Sequence, residues 1–405
     1  MADKTITYLT SDWKIWTYQP FDSRFILDFS QLDDANTPLS GTEGSVKALD
    51  AMINSLTISE GSAVNQGIFS QITPASLDVT LIIENFTASD SQQFFVGADI
   101  WATYRNAATS DNSYLSLGKN TPAFMGKIRS FTVTIEPGSN FASVNISATS
   151  YNEDNLNTVI SVAKDTTTDK SVLISNAAAV KNIVVQPAAS NYHFATSTAE
   201  SKTLGEFVID LNTCDMHVIT DRLSRVITSP SNISFTPQIY SLVSTTASPA
   251  RTYDSTNITD LQLDWSGADS PTGVTLTNYF NNTIVYQYGT DGTIAAGGAY
   301  NYSATIDVKD ITEMTDVGQK MMSMVKAFKP VTITTKTATN YQNLTFKDDT
   351  TWTYPTNLSR VTETIAVNMP TYGLSSVPML VTGRTMMITP DNWTTTYQLW
   401  KGFTN

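Results

Sequence analysis

The sequence holds one cysteine, Cys214, and two histidines, His193 and His217, among its 405 residues. So small an inventory excludes a disulfide framework, a thiolate zinc site and a metal cluster of ordinary ligand spacing, and no cofactor is implied. Charge is scarce too, at 15% of residues, and cations are the scarcer sign: 24 Lys and Arg stand against 37 Asp and Glu, a formal net charge of −13. A chain of this balance lacks the basic surface that neutralises phosphates, which argues against sequence-specific nucleic-acid binding. No apolar run is long enough to cross a bilayer, so no transmembrane segment is expected. The first residues, MADKTITYLTSDWKIW, lack the apolar stretch of a signal peptide, and the chain is expected to be soluble and not exported. There is no Gly-x-Gly-x-x-Gly motif, and Gly289 to Gly298 reads as a hairpin tip with no lysine to hold a phosphate.

What the chain has in quantity is hydroxyl groups. It carries 61 Thr and 41 Ser while keeping 41% hydrophobic residues, a mixture suited to half-buried pleated surfaces and not to a disordered chain. Asn-X-Ser/Thr triplets, as at Asn85, Asn145, Asn257 and Asn392, arise by chance in such a composition and are not read as glycosylation sites. Alternation of apolar and polar residues recurs from end to end. Ser76 to Ile83, Ile128 to Ile135 and Ala142 to Ala148 are expected strands, the last two joined in a hairpin through Pro137-Gly138-Ser139-Asn140. Residues 1–150 form a first β-barrel-like unit, beginning with a strand at Phe25 to Phe29 and broken by an exposed loop from Ala108 to Asn120. Residues 151–235 read as a smaller mixed α/β segment. There Asn155 to Ala163 and Ser201 to Val208 show helical spacing, Asp165 to Asp169 is a polar connector, and Ala177 to Val185 is an expected strand. Residues 236–405 form a second β unit, with strands at Asp260 to Trp265, Gly273 to Thr277, Thr283 to Tyr288, Val331 to Thr335, Thr362 to Val367 and Val381 to Thr389. One helix interrupts it, Asp316 to Phe328, with Val317, Met321, Met324, Val325 and Phe328 on one face. The fold class is mainly β, two barrel-like units flanking a mixed segment.

Candidate chemistry is thin. Cys214 and His217 lie too close in sequence for a nucleophile and base drawn from separate elements, and the plain assignment is a buried thiol and a surface imidazole. Acidic pairs at Asp33-Asp34, Glu153-Asp154 and Asp348-Asp349 read as solvated turns and not as a glycosidase pair, and Asp165-x-x-x-Asp169 lacks the acidic density and glycine of a calcium loop. The tryptophans at 13, 16, 101, 265, 352, 393 and 400 read as core or interface; any that are exposed, with Trp101 and Trp352 as candidates, would serve as sugar platforms. The Met321, Met322 and Met324 cluster reads as a packed helix face or adaptable contact. No catalytic, cofactor-binding or metal residue is assigned, and the chain is not expected to be an enzyme.

Several segments, taken in order, resemble the tail-tip hub proteins, or minor tail proteins, of long-tailed bacteriophages. They are Ser55 to Gly61 with Ile72 to Asn85, Phe124 to Phe131 with Val144 to Ser150, Thr198 to Val226, Val274 to Gly289, and Val381 to Leu399 with its Ile388-Thr389-Pro390 and Trp393. The resemblance covers most of the chain and departs from the usual pattern at Asn212 to Asp215, where acidic and glycine residues are commoner. It implies a structural virion protein of the distal tail, made in the host bacterial cytoplasm. It implies a homotrimer whose two tube-type β domains per subunit adapt a sixfold tail tube to a threefold baseplate tip. The partners implied are a distal tail or tail tube protein, the tape measure protein, and tail fibre or other tip proteins. The hub role includes part of the DNA ejection channel, and the acidic balance suggests an acidic wall that repels DNA. Some hubs carry an enzymatic extension; with the chain ending at Asn405 soon after Trp393, none is expected. A receptor- or carbohydrate-binding tail adhesin is the alternative that fits the same composition, and a polysaccharide hydrolase fits it less well.

Overall fold

A computed structural model of the chain describes residues 13–19, 45–48, 52–61, 73–86, 94–105, 120–135, 137–186, 190–215, 218–229, 232–242, 248–263, 273–279, 285–289, 301–327, 330–338, 346–349, 352–355, 358–361, 363–390 and 392–400. In chain order the first part contains β1 (Trp13–Gln19), β2 (Ser45–Ala48), β3 (Met52–Gly61), β4 (Ser76–Glu84), β5 (Asp99–Arg105), β6 (Asn120–Ile135) and β7 (Phe141–Ser150). The middle contains α1 (Asn152–Leu156), β8 (Val159–Val162), α2 (Lys170–Ala179), β9 (Val184–Gln186), β10 (Glu200–Thr203), α3 (Leu204–Asp215), β11 (Val218–Ser229) and β12 (Asn232–Leu242). The last part contains β13 (Thr252–Asp254), β14 (Ile258–Leu263), β15 (Gly273–Asn278), β16 (Val285–Gly289), β17 (Asn301–Ile306), α4 (Ile311–Ala327), β18 (Pro330–Ala338), β19 (Phe346–Asp349), β20 (Trp352–Pro355), β21 (Thr364–Met369), β22 (Leu374–Thr389) and β23 (Asn392–Trp400).

The chain is mainly β, as its alternation predicts. The hairpin expected at Pro137 to Asn140 is present: Ile135 pairs with Ala142 across it, and Gly138 supplies the positive φ of 82° that the turn requires. The expected strand at Phe25 to Phe29 and the loop at Ala108 to Lys119 lie outside the described residues, and Asn120 opens β6.

The mixed segment is where spacing misleads. Asn155 to Ala163 is not one helix: α1 stops at Leu156, and Val159 to Val162 is a strand whose residues alternate exposed and buried. The Leu156, Val159 and Ile160 spacing mimics a helical face across that break. Ala177 to Val185 is not a strand: α2 occupies its first residues and β9 only its end. That helix buries only Ile174 and Ala178 among its apolar residues and leaves Val172 exposed, so it has no apolar stripe to read. Its start is nevertheless written in the sequence, because Asp169 caps it by accepting from the Ser171 amide at 2.7 Å.

The helix expected at Ser201 begins later, after a short strand. Thr203 and Glu206 form a reciprocal capping box, the Glu206 carboxylate accepting from the Thr203 amide at 2.9 Å and the Thr203 hydroxyl from the Glu206 amide at 3.3 Å. Thr203→Ala should therefore cost α3 about 1 kcal/mol, measured as faster amide exchange confined to its first turns. Helix α4 also starts earlier than its apolar spacing indicates, since the Asp310 carboxylate accepts from the amides of Thr312 and Glu313 at 2.9 and 3.1 Å. Met314, Val317 and Met321, one turn apart, are wholly buried.

One sheet runs through the molecule in the order β14-β18-β23-β22-β3-β4-β7-β6-β5-β1-β2, with β13 and β21 attached through β22. Strands from the two ends of the chain meet at β3 and β22, antiparallel from Gly61 opposite Gly383 to Leu56 opposite Ile388. Gly61 is required there: its φ is 86°, and a Cβ would stand 2.4 Å from the Thr382 carbonyl oxygen. Beside it the Arg384 guanidinium pairs with Glu60 at 2.6 Å and donates to the Ser359 carbonyl at 3.0 Å.

Three apolar clusters form under this framework. One gathers Leu56, Leu77, Leu81, Ile100 and Val144 with Met386, Ile388 and Trp393 from the other end of the chain. A second packs α4 and β15 against Ile333, Ile365, Tyr397 and Leu399. The third, smaller one joins Ile160, Val162, Ile174, Leu204, Phe207 and Leu211 within the mixed segment. No described helix is long and apolar enough to cross a membrane.

Candidate functional site

The mixed segment meets the C-terminal β part through charge. Lys170 is wholly buried at the start of α2, 2.5 Å from an Asp210 carboxylate oxygen on α3. It also donates to the backbone carbonyl of Asp307, just after β17, and lies 3.6 Å from the Cys214 sulfur. Lys164 pairs with the Asp307 carboxylate at 2.6 Å and with Glu200 on β10, and Lys202 pairs with Glu200 at 2.7 Å. Asp307 closes the cluster by accepting from the Ala195 amide at 3.0 Å, and its own amide donates to Asp210 at 3.1 Å. Three ammonium groups thus face three carboxylates. Burial pushes the Lys170 ammonium down, and Asp210 followed by Cys214 more than offset this, so it is held above its ordinary value. A cleft of ≈ 190 Å³ opens beside the cluster, lined by Glu200, Lys202, Glu206, Asp210 and Tyr279 among others. Its lysines are already paired with carboxylates, as in a structural clamp between the mixed segment and the C-terminal β part.

Burial also pushes the Glu200 carboxyl up, but Lys164 and then Lys202 outweigh it and hold the group at about 2, below its ordinary 4.5. A depressed carboxylate contributes stability that is complete above about pH 4.5 and is lost as pH falls toward 2. Attachment of the mixed segment should weaken across that window, seen as rising proteolytic cleavage of residues 151–215. In Glu200→Gln the same window should show a smaller pH dependence.

A second attachment joins Tyr192 and His193 to the first turns of α4. The Glu313 carboxylate accepts from the His193 amide at 3.1 Å and meets its Nδ1 at 2.6 Å, while also accepting from the Lys309 amide at 3.2 Å. The Tyr192 hydroxyl donates to Asp316 at 2.7 Å and accepts from Lys320 at 2.6 Å. On the N-terminal side, Lys127 and Arg129 of β6 reach Asp154 at 2.9 Å each, and Arg129 reaches Glu153 at 2.7 Å. The Glu153-Asp154 pair, read as a solvated turn, is thus the anionic half of a partly exposed contact. These outer pairs are worth about 1 kcal/mol or less each.

Other singled-out residues are dispersed. Cys214 is buried, and His217 lies outside the described residues. His193, partly exposed, meets Glu313 through its Nδ1. Asp165 forms a turn with the amides of Thr167 and Thr168, and Asp169 caps α2. Asp33 and Asp34 lie outside the described residues. Among the described residues no group of three His, Cys, Asp or Glu is arranged to hold a metal. Trp13, Trp16, Trp101, Trp393 and Trp400 are buried, and the Trp101 indole donates to the Tyr151 hydroxyl at 2.9 Å. The Trp101 platform that an adhesin would use is therefore absent. Met321 is buried against the C-terminal core, as a packed helix face requires.

The feature that sequence reading passed over is the outer face of the long sheet. Thr334 lies opposite Thr396, Thr396 opposite Thr385, Thr385 opposite Ser59, Ser59 opposite Ser76, and Ser76 opposite Thr149. Directly opposed residues point to the same face. One row of hydroxyls therefore crosses β18, β23, β22, β3, β4 and β7 while the other face carries the core. The composition announces many hydroxyls; only strand order and register show that they align.

No family model and no curated protein sequence matches the chain. Solved structures do. A tail protein from Neisseria meningitidis MC58 superimposes with a TM-score of 0.54 at 12% identity, over 87% of this chain and 93% of its own. The 43 kDa tail protein of prophage MuSo2 from Shewanella oneidensis does so with a TM-score of 0.52 at 9% identity, over 89% and 96%. The E. coli c3393 protein, a type VI secretion component with structural similarity to the T4 tail proteins gp27 and gp5, gives 0.47 at 10% identity, over 88% and 76%. The fold is that of phage tail proteins.

Proposed function

We propose that the chain is a structural subunit of a phage-type tail, placed at the distal tip of the virion as a baseplate hub. Its working form in this reading is a homotrimer, with residues 1–150 and 236–405 as two tube-type β units per copy and residues 151–235 as the segment between them. Three such copies offer six similar units to a sixfold tube, which is what a symmetry adapter needs. The neighbours are the distal tail or tail tube protein, the tape measure protein within, and tail fibre or other tip proteins outside, and the hub encloses part of the DNA ejection channel. Synthesis takes place in the host cytoplasm.

The observation that carries this reading is the near end-to-end likeness to two tail proteins, in which almost the whole of each partner chain is matched. The clamp around Lys170 supports a structural role, since its lysines are paired with carboxylates. Cross-linking mass spectrometry of purified tails tests the position. Links from the β units to tube and tape measure proteins are expected. Links confined to fibre proteins would favour an adhesin, and an absence of the chain from purified tails would refute the reading.

A further inference from the structure

Strand β6 is paired on both edges along only half of its length. On one side β7 accompanies it from Gly126 to Ile135, and on the other β5 covers Asn120 to Lys127. The turn from Phe95 to Ala98 then takes up Ile128, whose amide donates to the Ala98 carbonyl at 2.9 Å and whose carbonyl accepts from the Gly97 amide at 2.8 Å. From Ser130 to Ile135 no strand among the described residues pairs with the second edge. The hairpin of β19 and β20 comes near β6 but does not join its sheet.

The apolar side is unfinished at the same place. Phe131 and Val133 pack against the N-terminal core while staying partly exposed, Ile135 is 57% exposed, and Phe95 and Val96 stand exposed on the adjoining turn. An edge left in this state is a template for another strand, and native edges are blunted against it by charge, proline, a bulge or shortness. The edge strand β14 follows that rule, with Asp260 and a register shift beside it. Ser130 to Ile135 holds no charge, proline or glycine, and the register shift of β6 falls before it, between Ile128 and Ser130.

The edge carries its own complement. Phe131-Thr132-Val133-Thr134-Ile135 has the same chemistry read in either direction, apolar residues and threonines alternating about Val133. Set antiparallel to itself about a two-fold axis normal to the sheet at Val133, it brings Phe131 opposite the partner's Ile135 and Thr132 opposite the partner's Thr134. Apolar residues then meet on the core face and threonines on the outer one.

We propose that two copies of this chain pair edge to edge through Ser130 to Ile135 of β6, making one sheet continuous across the pair. Roughly 20 Å of strand on each copy supplies the main-chain hydrogen bonds, and Phe131, Val133 and Ile135 of both copies close the open end of the apolar core. The contact is two-fold; it goes beyond the tip-hub reading and does not rest on it. So narrow an interface belongs with the weak and reversible ones, of micromolar order.

Sedimentation velocity of the purified full chain between about 1 and 100 µM tests it. The wild type should move from the mass of one chain toward twice that mass as concentration rises. Thr132→Lys/Thr134→Lys, at two exposed positions, sets like charges opposite one another and should weaken pairing at least about tenfold. Thr132→Lys/Thr134→Glu sets opposite charges across the axis and should bring pairing back to within about threefold of wild type. The three proteins should melt at the same temperature, since both side chains point away from the core. A wild type that stays monomeric over the whole range, or pairing that both variants leave unchanged, overturns the proposal. Weakening by both variants alike overturns this register. A trimer indifferent to both variants overturns the pair and leaves the hub reading standing.

Discussion

Lys170→Met should be among the most damaging single substitutions in the mixed segment, costing about 3–5 kcal/mol of its stability. The reason is not the loss of one ion pair. The Lys170 ammonium is wholly buried between the Asp210 carboxylate and the Asp307 carbonyl, so its removal takes their shared donor from a carbonyl and from a carboxylate whose side chain is only 21% exposed. Amide exchange of α2, β8 and α3 should accelerate by the corresponding factor while β4 and β7, in a separate core, keep their protection. The double variant Lys170→Met/Asp210→Leu should recover most of the loss, because a clamp replaced on both sides by apolar groups no longer strands a charge. Unchanged exchange in the single variant would mean that the clamp does not hold this segment.

Gly61→Ala should be the counterpart in the long sheet. A residue with a side chain at φ 86° pays about 1–2 kcal/mol in backbone energy, and the added carbon meets the Thr382 oxygen at 2.4 Å and the Gly383 Cα at 2.8 Å. Overpacking of this kind costs about 1–3 kcal/mol more, so a total of about 2–5 kcal/mol is expected. Both contacts are to backbone, which cannot rotate away as a side chain does. The damage falls where β3 and β22 join the two ends of the chain, so Gly61→Ala should expose the Glu60 and Arg384 pair and shift chemical denaturation to lower denaturant. Gly97→Ala, where a Cβ would meet nothing within 4 Å, controls for the backbone contribution alone. Equal effects at the two glycines would place the whole cost in φ and none in the strand junction.

The parts of this molecule that could be read in advance share one property: their signal is local. Ser76 to Glu84 and Phe141 to Ser150 alternate because each strand shows one face to a core and one to water, and the hairpin between Ile135 and Ala142 is announced by its turn residues. Helix α2 lacked a readable stripe because it is wedged beside ionic groups: Lys170 and Ser171 are among its buried residues, so hydrophobicity is a poor guide to what faces inward. The clamp itself draws on Lys164, Lys170, Glu200, Asp210 and Asp307, which only tertiary packing brings together, and no spacing rule links them. The hydroxyl row is the extreme case, since its members come from six strands scattered between Ser59 and Thr396. The Thr203 and Glu206 box, by contrast, stood in plain view as a Thr-x-x-Glu start ahead of an apolar run.

The central claim is that this chain is a tail-tip structural subunit. Gold-antibody labelling of intact particles, viewed by negative-stain electron microscopy, tests it most directly. The account predicts gold at the axial end of the tail and nowhere else on the particle. Label along side fibres, or particles with no label while the free protein is recognised, would contradict it.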